Sequence, residues 1–326
     1  MALKISTICA LTYSAAWMRS EQLTILEQVS AEIGRVVLGK DRQVQQALCC
    51  LLARGHLLIE DLPGVGKTTL SQAFAKVTGL DYQRMQFTSD LLPADILGVS
   101  IFDRNSNAFH FHSGPIFTQF LLVDEINRAS PKTQSALLEA MAEQQVSIEG
   151  ETRQLPQPYF VMATQNPWFQ SGTFPLPESQ LDRFLMRISL GYPDERSERR
   201  LLAGGDPRAL LAELRPLLNA EKIIALQSAV DKVEVRDSVL SYVQRLIGFT
   251  RQDSHYAFGL STRAALALIQ CAKAWAMLQG RDYVLPDDIQ LVLEPVAAHR
   301  LKSAADSDGE GPDLIKRLLS QVPVVV

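Results

Sequence analysis

The sequence predicts an α/β fold, a three-layer core with a mostly parallel sheet between helices, plus a smaller, mainly helical region. Three stretches carry this. Leu57-Leu58-Ile59 is an apolar run leading into a glycine loop, Pro63-Gly64-Val65-Gly66, and then a helix whose Leu70, Phe74 and Val77 recur at helical spacing. Phe120-Leu121-Leu122-Val123 is a continuous apolar run ending in Asp124-Glu125, as expected of a central parallel strand covered on both faces. Tyr159 to Ala163 is another such run, ending at Thr164-Gln165-Asn166. Tyr82–Phe87 and Met186–Leu190 complete five strands interleaved with helices.

Composition limits the alternatives. The chain has 326 residues, enough for two domains, with 47% hydrophobic and 21% charged residues, an ordinary globular balance. Its 32 Lys and Arg against 36 Asp and Glu give a formal charge of −4, so no overall basic field points to nucleic acid or an acidic membrane. The four cysteines, Cys9, Cys49, Cys50 and Cys271, form no C-x-x-C pair and read as buried thiols in a reducing compartment. Residues 1–17 hold one Lys and an apolar run too short to span a bilayer; they read as a disordered extension ahead of a helix beginning near Met18.

In chain order, two helical patterns from Glu21 to Ala53 flank the turn Val36-Val37-Leu38-Gly39-Lys40, which is placed to touch an adenine ring through Val37 and Gly39, although its spacing suits a simple interhelix connection almost as well. The glycine loop then offers backbone N–H groups to an anion at a helix N-terminus, with Pro63, Gly64, Val65 and Gly66 shaping the cradle. Lys67 reaches the outer phosphates, and Thr68, followed by Thr69, presents a hydroxyl to Mg²⁺. Asp61 stands where the strict G-x-x-x-x-G-K-[ST] pattern has glycine, a carboxylate that argues mildly against phosphate. Gly79 is a helix C-cap signal. Hairpins are predicted around Asn105-Ser106-Asn107 and Glu149-Gly150, and His110 and His112 share one strand face as a conceivable metal pair without a third ligand nearby.

Asp124 and Glu125 at a strand end suit orienting Mg²⁺ and polarising an attacking water, although such a pair can also merely cap a helix. Ser130-Pro131 starts a helix with Leu137, Leu138 and Met141 inward. Pro193-Asp194 opens the helical region. There Ser261 caps a helix in which Leu268, Cys271, Ala272, Trp275 and Leu278 face the core. Arg263 in its first turn opposes the helix dipole, which an anionic partner would explain. Gly204–Pro207 and Ser303–Pro312 read as loops, and the VPVVV tail as an edge strand.

Together PGVGKTT, LLVDEINRASPKTQSALLEAM, ATQNP, FPLPESQLDRF and GLSTRAAL resemble the MoxR branch of the AAA+ ATPases, from about Gly34 to about Pro295. The resemblance implies an AAA+ three-layer αβα nucleotide-binding core over 18–191, with a helix-2 insert and a pre-sensor hairpin at 146–155, and a helical lid over 192–326. It implies ATP and Mg²⁺, with Lys67, Thr68 and Asp124 as contacts, Glu125 and Asn166 on the attacking water, Arg183 as an arginine finger and Arg263 as the second sensor. It also implies a cytoplasmic homo-oligomer, a hexameric ring, that remodels protein clients, associated with metal-cofactor insertion and with von Willebrand factor A domain proteins. Asp61 fits this branch, whose loops share an EDxPGxGKT form. The rival readings are a DNA-associated motor, disfavoured by the few basic residues on the hairpins (Arg104 and Arg153), and a nucleotide-gated switch with little turnover. GTP is disfavoured because no N-K-x-D motif occurs.

Overall fold

The structure, a computed structural model, describes residues 22–166, 172–203, 206–304 and 311–324. The expected extension at 1–17, the Trp168–Ser171 part of the aromatic loop and the Gly204-Gly205 turn lie outside these residues. The chain runs α1 (22–36), α2 (Asp41–Leu52), β1 (Leu57–Glu60), α3 (Lys67–Thr78), β2 (Tyr82–Gln86), α4 (Pro93–Leu97), β3 (Gly98–Asp103), β4 (Ala108–Ser113) and β5 (Phe120–Asp124). It continues through α5 (Pro131–Glu143), β6 (Gln145–Ile148), β7 (Glu151–Gln154), β8 (Phe160–Gln165), α6 (Glu178–Leu181) and β9 (Met186–Ile188). The helical region holds α7 (Glu195–Leu202), α8 (Pro207–Glu213), α9 (Ala220–Asp231), α10 (Asp237–Gln252), α11 (Thr262–Leu278), α12 (Pro286–Ala297) and α13 (Gly311–Gln321).

The central sheet has five parallel strands in the order β2-β5-β8-β1-β9. Period-two alternation divides the strand side chains between two layers. Leu57, Ile59, Phe120, Leu122, Phe160 and Met162 join one core with α2 and α3, where the Phe74, Phe120 and Phe160 rings lie 5.4–5.7 Å apart. Leu58, Leu121, Val123, Val161 and Ala163 face the other layer, against Leu137, Leu138 and Met141 of α5. Because both faces are covered, β5 and β8 are apolar at consecutive positions, which is why their sequence shows no alternation.

Two antiparallel hairpins, β3–β4 and β6–β7, stand outside this sheet, and the Arg153 guanidinium of one sits 4.0 Å over the Phe111 ring of the other. The caps expected at Ser130 and Ser261 are formed, to Thr133 N and Ala264 N, and Gly79 ends α3 in a left-handed conformation. Helix α2 is shared between the sheet and the helical region: Gln227 of α9 donates to the Leu51 carbonyl, and the Cys49 thiol of α2 donates to the Cys271 carbonyl of α11. Two sequence expectations are corrected. Among the described residues 322–324 the tail forms no strand; Val322 closes the last turn of α13 and is buried there by apolar contact. Gly311 and Pro312 belong to that helix rather than to the polar loop, since proline is accommodated in a first turn, where its missing N–H has no partner to lose.

His56, just before β1, is buried between layers: its Nδ1 accepts from Val161 N at 3.1 Å and its Nε2 donates to the Met141 carbonyl at 3.2 Å. Burial pushes its pKa down to about 4, against a smaller upward pull from that carbonyl. An unfolded imidazole protonates near about pH 6.5, so the native state is fully stabilised above that pH and loses stability as pH falls toward the folded value. His56→Gln should flatten the dependence of unfolding free energy on pH by about 1.4 kcal/mol per unit between about pH 6 and 4.5, measured by urea titration.

Candidate active site

At the carboxyl edge of the sheet the ends of β1, β5 and β8 lie side by side, so sequence-distant residues converge. The β1–α3 loop turns through Gly64 and Gly66 at φ +87° and +95°, and no atom lies within 4 Å of where a Cβ would project from either. Both conformations and both openings suit backbone approach to an anion at the start of α3. Lys67 Nζ donates to the Asp61 carbonyl at 2.6 Å and to Asn166 Oδ1 at 3.1 Å. Burial lowers its pKa, while the Asp61, Asp124 and Glu125 carboxylates pull upward without restoring it. A half-desolvated ammonium of this kind gains from an added anion.

Asn166 is the second centre. Its Nδ2 donates to Glu125 Oε1 at 3.0 Å, and its own carbonyl is fixed by Asn127 Nδ2 at 3.1 Å. Glu125 is left-handed, at φ +56° and ψ +51°, a conformation that costs a non-glycine residue on the order of 1–3 kcal/mol and recurs at functional sites. Its other oxygen, Oε2, accepts from Gln86 Nε2 at 3.0 Å and Arg128 Nε at 2.7 Å. Asp124 is buried, with Oδ2 on Arg84 Nε at 2.7 Å and Oδ1 on Thr164 Oγ1 at 3.2 Å. Thr164 also accepts from Glu125 N at 3.0 Å, so one hydroxyl fixes both acids.

Sequence reading missed Thr164, Arg84, Gln86, Arg128 and Asn127. Thr164, Asn127 and Arg128 lie within motifs already singled out, and β-strand register is the signal that finds the other two, since Arg84 and Gln86 stand opposite Leu122 and Asp124. The expected burden of Asp61 is corrected. Burial pushes its carboxyl up, but hydrogen bonds from Gly191 N, the Ser189 hydroxyl, Leu62 N and Leu190 N prevail and hold its pKa below the ordinary value. The carboxylate is thereby committed to the 189–191 segment and its own loop.

Val37 is buried, and Gly39 at φ +69° packs against Asp194 and Ser197, while Lys40 Nζ donates to the Tyr192 carbonyl at 2.6 Å. The expected base-binding turn thus lies against the entry to the helical region. Arg183, half-buried, donates to the Leu138 carbonyl at 2.8 Å, and Arg263, 74% exposed, reaches Oδ2 of the adjoining Asp182 at 3.4 Å. Asp182 is also held by Arg300 at 2.7 Å. A hard divalent cation suits the Thr68 hydroxyl and Asp124 carboxylate, an all-oxygen donor pair beside an anion cradle. His110 and His112 share a face of β4, and His110 Nε2 meets the Ser106 hydroxyl at 2.8 Å; among the described residues no three His, Cys, Asp or Glu side chains gather to hold a metal.

Residues 56–186 match the ATPase family associated with various cellular activities (AAA), and residues 248–318 match the AAA lid domain. The chain is 44% identical to the YeaC protein of Bacillus subtilis (strain 168) over 93% of its length and 95% of the relative's. It is 40% identical to the chaperone MoxR1 of Mycobacterium tuberculosis, covering 91% and 81% of the two chains. A crystal structure from Cytophaga hutchinsonii, described as an inferred ATPase, superposes with TM-score 0.86 at 34% identity, covering 97% of this chain and 99% of that one.

Thr164→Val would leave the Glu125 N–H without its acceptor and Asp124 Oδ1 without its donor, while Arg84 still holds Oδ2. Urea unfolding should show a loss of about 1–3 kcal/mol, and Thr164→Ser should recover most of it.

Proposed function

We propose, from the premise that the chain belongs to the MoxR family of AAA+ ATPases, that it hydrolyses ATP at a site completed by a neighbouring copy and uses the cycle to remodel protein clients. The observation that carries this is the shared clamp: Asn166 binds both Lys67 and Glu125, so the residue that neutralises phosphate and the residue that activates water are held in one frame. Lys67 and the loop N–H groups bind the phosphates and stabilise charge that grows on them during transfer. Glu125 accepts the proton of the attacking water as its oxygen bonds to the γ-phosphorus and the ADP oxygen leaves. Thr68 and Asp124 would hold Mg²⁺, which would neutralise charge on the phosphate oxygens. Val37 and Gly39 form the wall for the base.

Arg183 and Arg263 meet at Asp182 and its neighbour; we read Arg183 as the finger offered to the next subunit's nucleotide and Arg263 as the second sensor that lid closure brings to the γ-phosphate. A hexameric ring is the assembly we infer, in the cytoplasm; no helix among the described residues is long and apolar enough to cross a membrane. The name of the chaperone MoxR1 relative supports a chaperone-like role. The β3–β4 hairpin exposes Val99, Ile101, Phe102 and Phe109 with little positive charge, which suits an apolar protein segment better than a phosphate backbone. Metal-cofactor insertion and a client with a von Willebrand factor A domain are the finer assignments we propose.

Complementation tests the shared site. Lys67→Ala should lose ATP binding; Glu125→Gln should bind ATP yet fail to turn it over. Arg183→Ala alone should lose on the order of 10³-fold or more in turnover. Mixing Arg183→Ala with Lys67→Ala should restore phosphate release, because the second variant donates its intact arginine to the first one's intact loop. No recovery in a mixture shown to co-assemble would overturn the shared mechanism. Phe102→Ser with Phe109→Ser should spare ATP turnover while abolishing client remodelling, read by a refolding or protease-protection assay.

A further inference from the structure

Asp61 breaks the general phosphate-loop pattern, and its three functional groups reach three different places. Its N–H donates to the Gln165 carbonyl at 3.2 Å, at the end of β8. Its carbonyl accepts from Lys67 Nζ at 2.6 Å. Its carboxylate Oδ2 accepts from the Ser189 hydroxyl at 2.9 Å, Leu190 N at 2.7 Å and Gly191 N at 2.6 Å. Those last donors belong to the short segment between β9 and α7, the chain's passage from the sheet into the helical lid.

That segment is a restrained turn with a glycine in it. Gly191 sits at φ +63° with nothing within 4 Å of its absent Cβ, so its backbone takes angles that a larger residue resists. Two other core side chains hold the same passage: Gln43 Nε2 donates to the Ser189 carbonyl at 3.3 Å and Lys40 Nζ to the Tyr192 carbonyl at 2.6 Å. Neither of them bonds Lys67. Asp61 bonds both Lys67 and the passage, and its peptide, at the shorter of the two Lys67 bonds (the other goes to Asn166 Oδ1), competes with an incoming phosphate for the ammonium.

We infer that Asp61 is a positioning residue that couples occupation of the phosphate loop to the angle of the lid. A phosphate that draws Lys67 away releases the Asp61 carbonyl, the residue turns within its loop, and the carboxylate carries the Ser189–Gly191 segment with it. A glycine here would keep the loop N–H groups and Lys67 but leave the Ser189 hydroxyl and the Leu190 and Gly191 N–H groups without their acceptor. This rests on the reading that ATP binds at Lys67, and it explains why a carboxylate is useful beside a phosphate site.

The test compares Asp61→Gly, Asp61→Asn and Ser189→Ala with the full-length protein. Three quantities are read: affinity for fluorescent ADP with Mg²⁺, the KM and kcat of phosphate release, and energy transfer between dyes attached after Glu143→Cys and Lys232→Cys, both exposed positions on α5 and beyond α9. In Asp61→Gly, ADP affinity and KM should stay within roughly threefold while kcat per bound ADP falls roughly tenfold or more, and the ATP-dependent change in energy transfer should disappear. Asp61→Asn, whose amide oxygen can still accept from the passage, should recover part of both, and Ser189→Ala should fall between. A merely structural role would lower the amount of active protein without splitting kcat from KM or uncoupling the dyes. Wild-type kcat and energy transfer in Asp61→Gly would overturn the inference; should that variant not fold, unchanged values in both Asp61→Asn and Ser189→Ala overturn it equally. A wild-type protein that neither binds nor cleaves ATP would instead overturn the functional reading beneath it.

Discussion

The Asn166 side chain accepts from Lys67 with its oxygen and donates to Glu125 with its nitrogen, so a cation at the start of α3 and a carboxylate just beyond β5 answer to one amide. Everything else at the sheet edge serves that geometry. Asn127 fixes the Asn166 backbone, Thr164 fixes the Glu125 N–H and the Asp124 carboxylate, and Arg84, Gln86 and Arg128 supply the remaining donors. The left-handed backbone of Glu125 is tolerated because these contacts over-determine it. A network of this density is costly to satisfy in part, since each unmet donor or acceptor in a half-buried site forfeits its hydration.

The architecture explains why such a network can exist at all. Parallel strands place β1, β5 and β8 termini at one edge, and the order in which β1 lies between β8 and β9 brings the glycine loop beside Asn166 and the Ser189–Gly191 passage beside Asp61. The two apolar layers hold those strand ends in register. Position at the edge is thus a product of burial far from it.

Much of this was readable from residues alone. Continuous apolar runs gave β1, β5 and β8 because strands buried on both faces need no alternation, and the Ser130 and Ser261 caps followed from local hydrogen-bonding chemistry. Lys67, Asp124, Glu125 and Asn166 were legible because their chemistry is concentrated in short motifs. The cross-strand helpers were not, because β2 reads as polar, and only its pairing with β5 reveals that Arg84 and Gln86 face the acids. Asp61 was misjudged for the same reason: its partners are about 130 residues away, at a distance no local pattern spans. The described part of the tail, residues 322–324, differed for another reason, since a β-branched run suited a strand until burial of Val322 against the helical core prevailed over propensity.

Helix α2 belongs by sequence to the segment before the sheet, yet it shares its apolar face with α9 and α11. The connection through Ser189–Gly191 is therefore not the lid's only attachment. A proteolytic nick there would sever the polypeptide without releasing either fragment, and the two pieces should travel together through gel filtration as though uncut. Hydrophobic contact, rather than the covalent tether, keeps the halves of this molecule in each other's company.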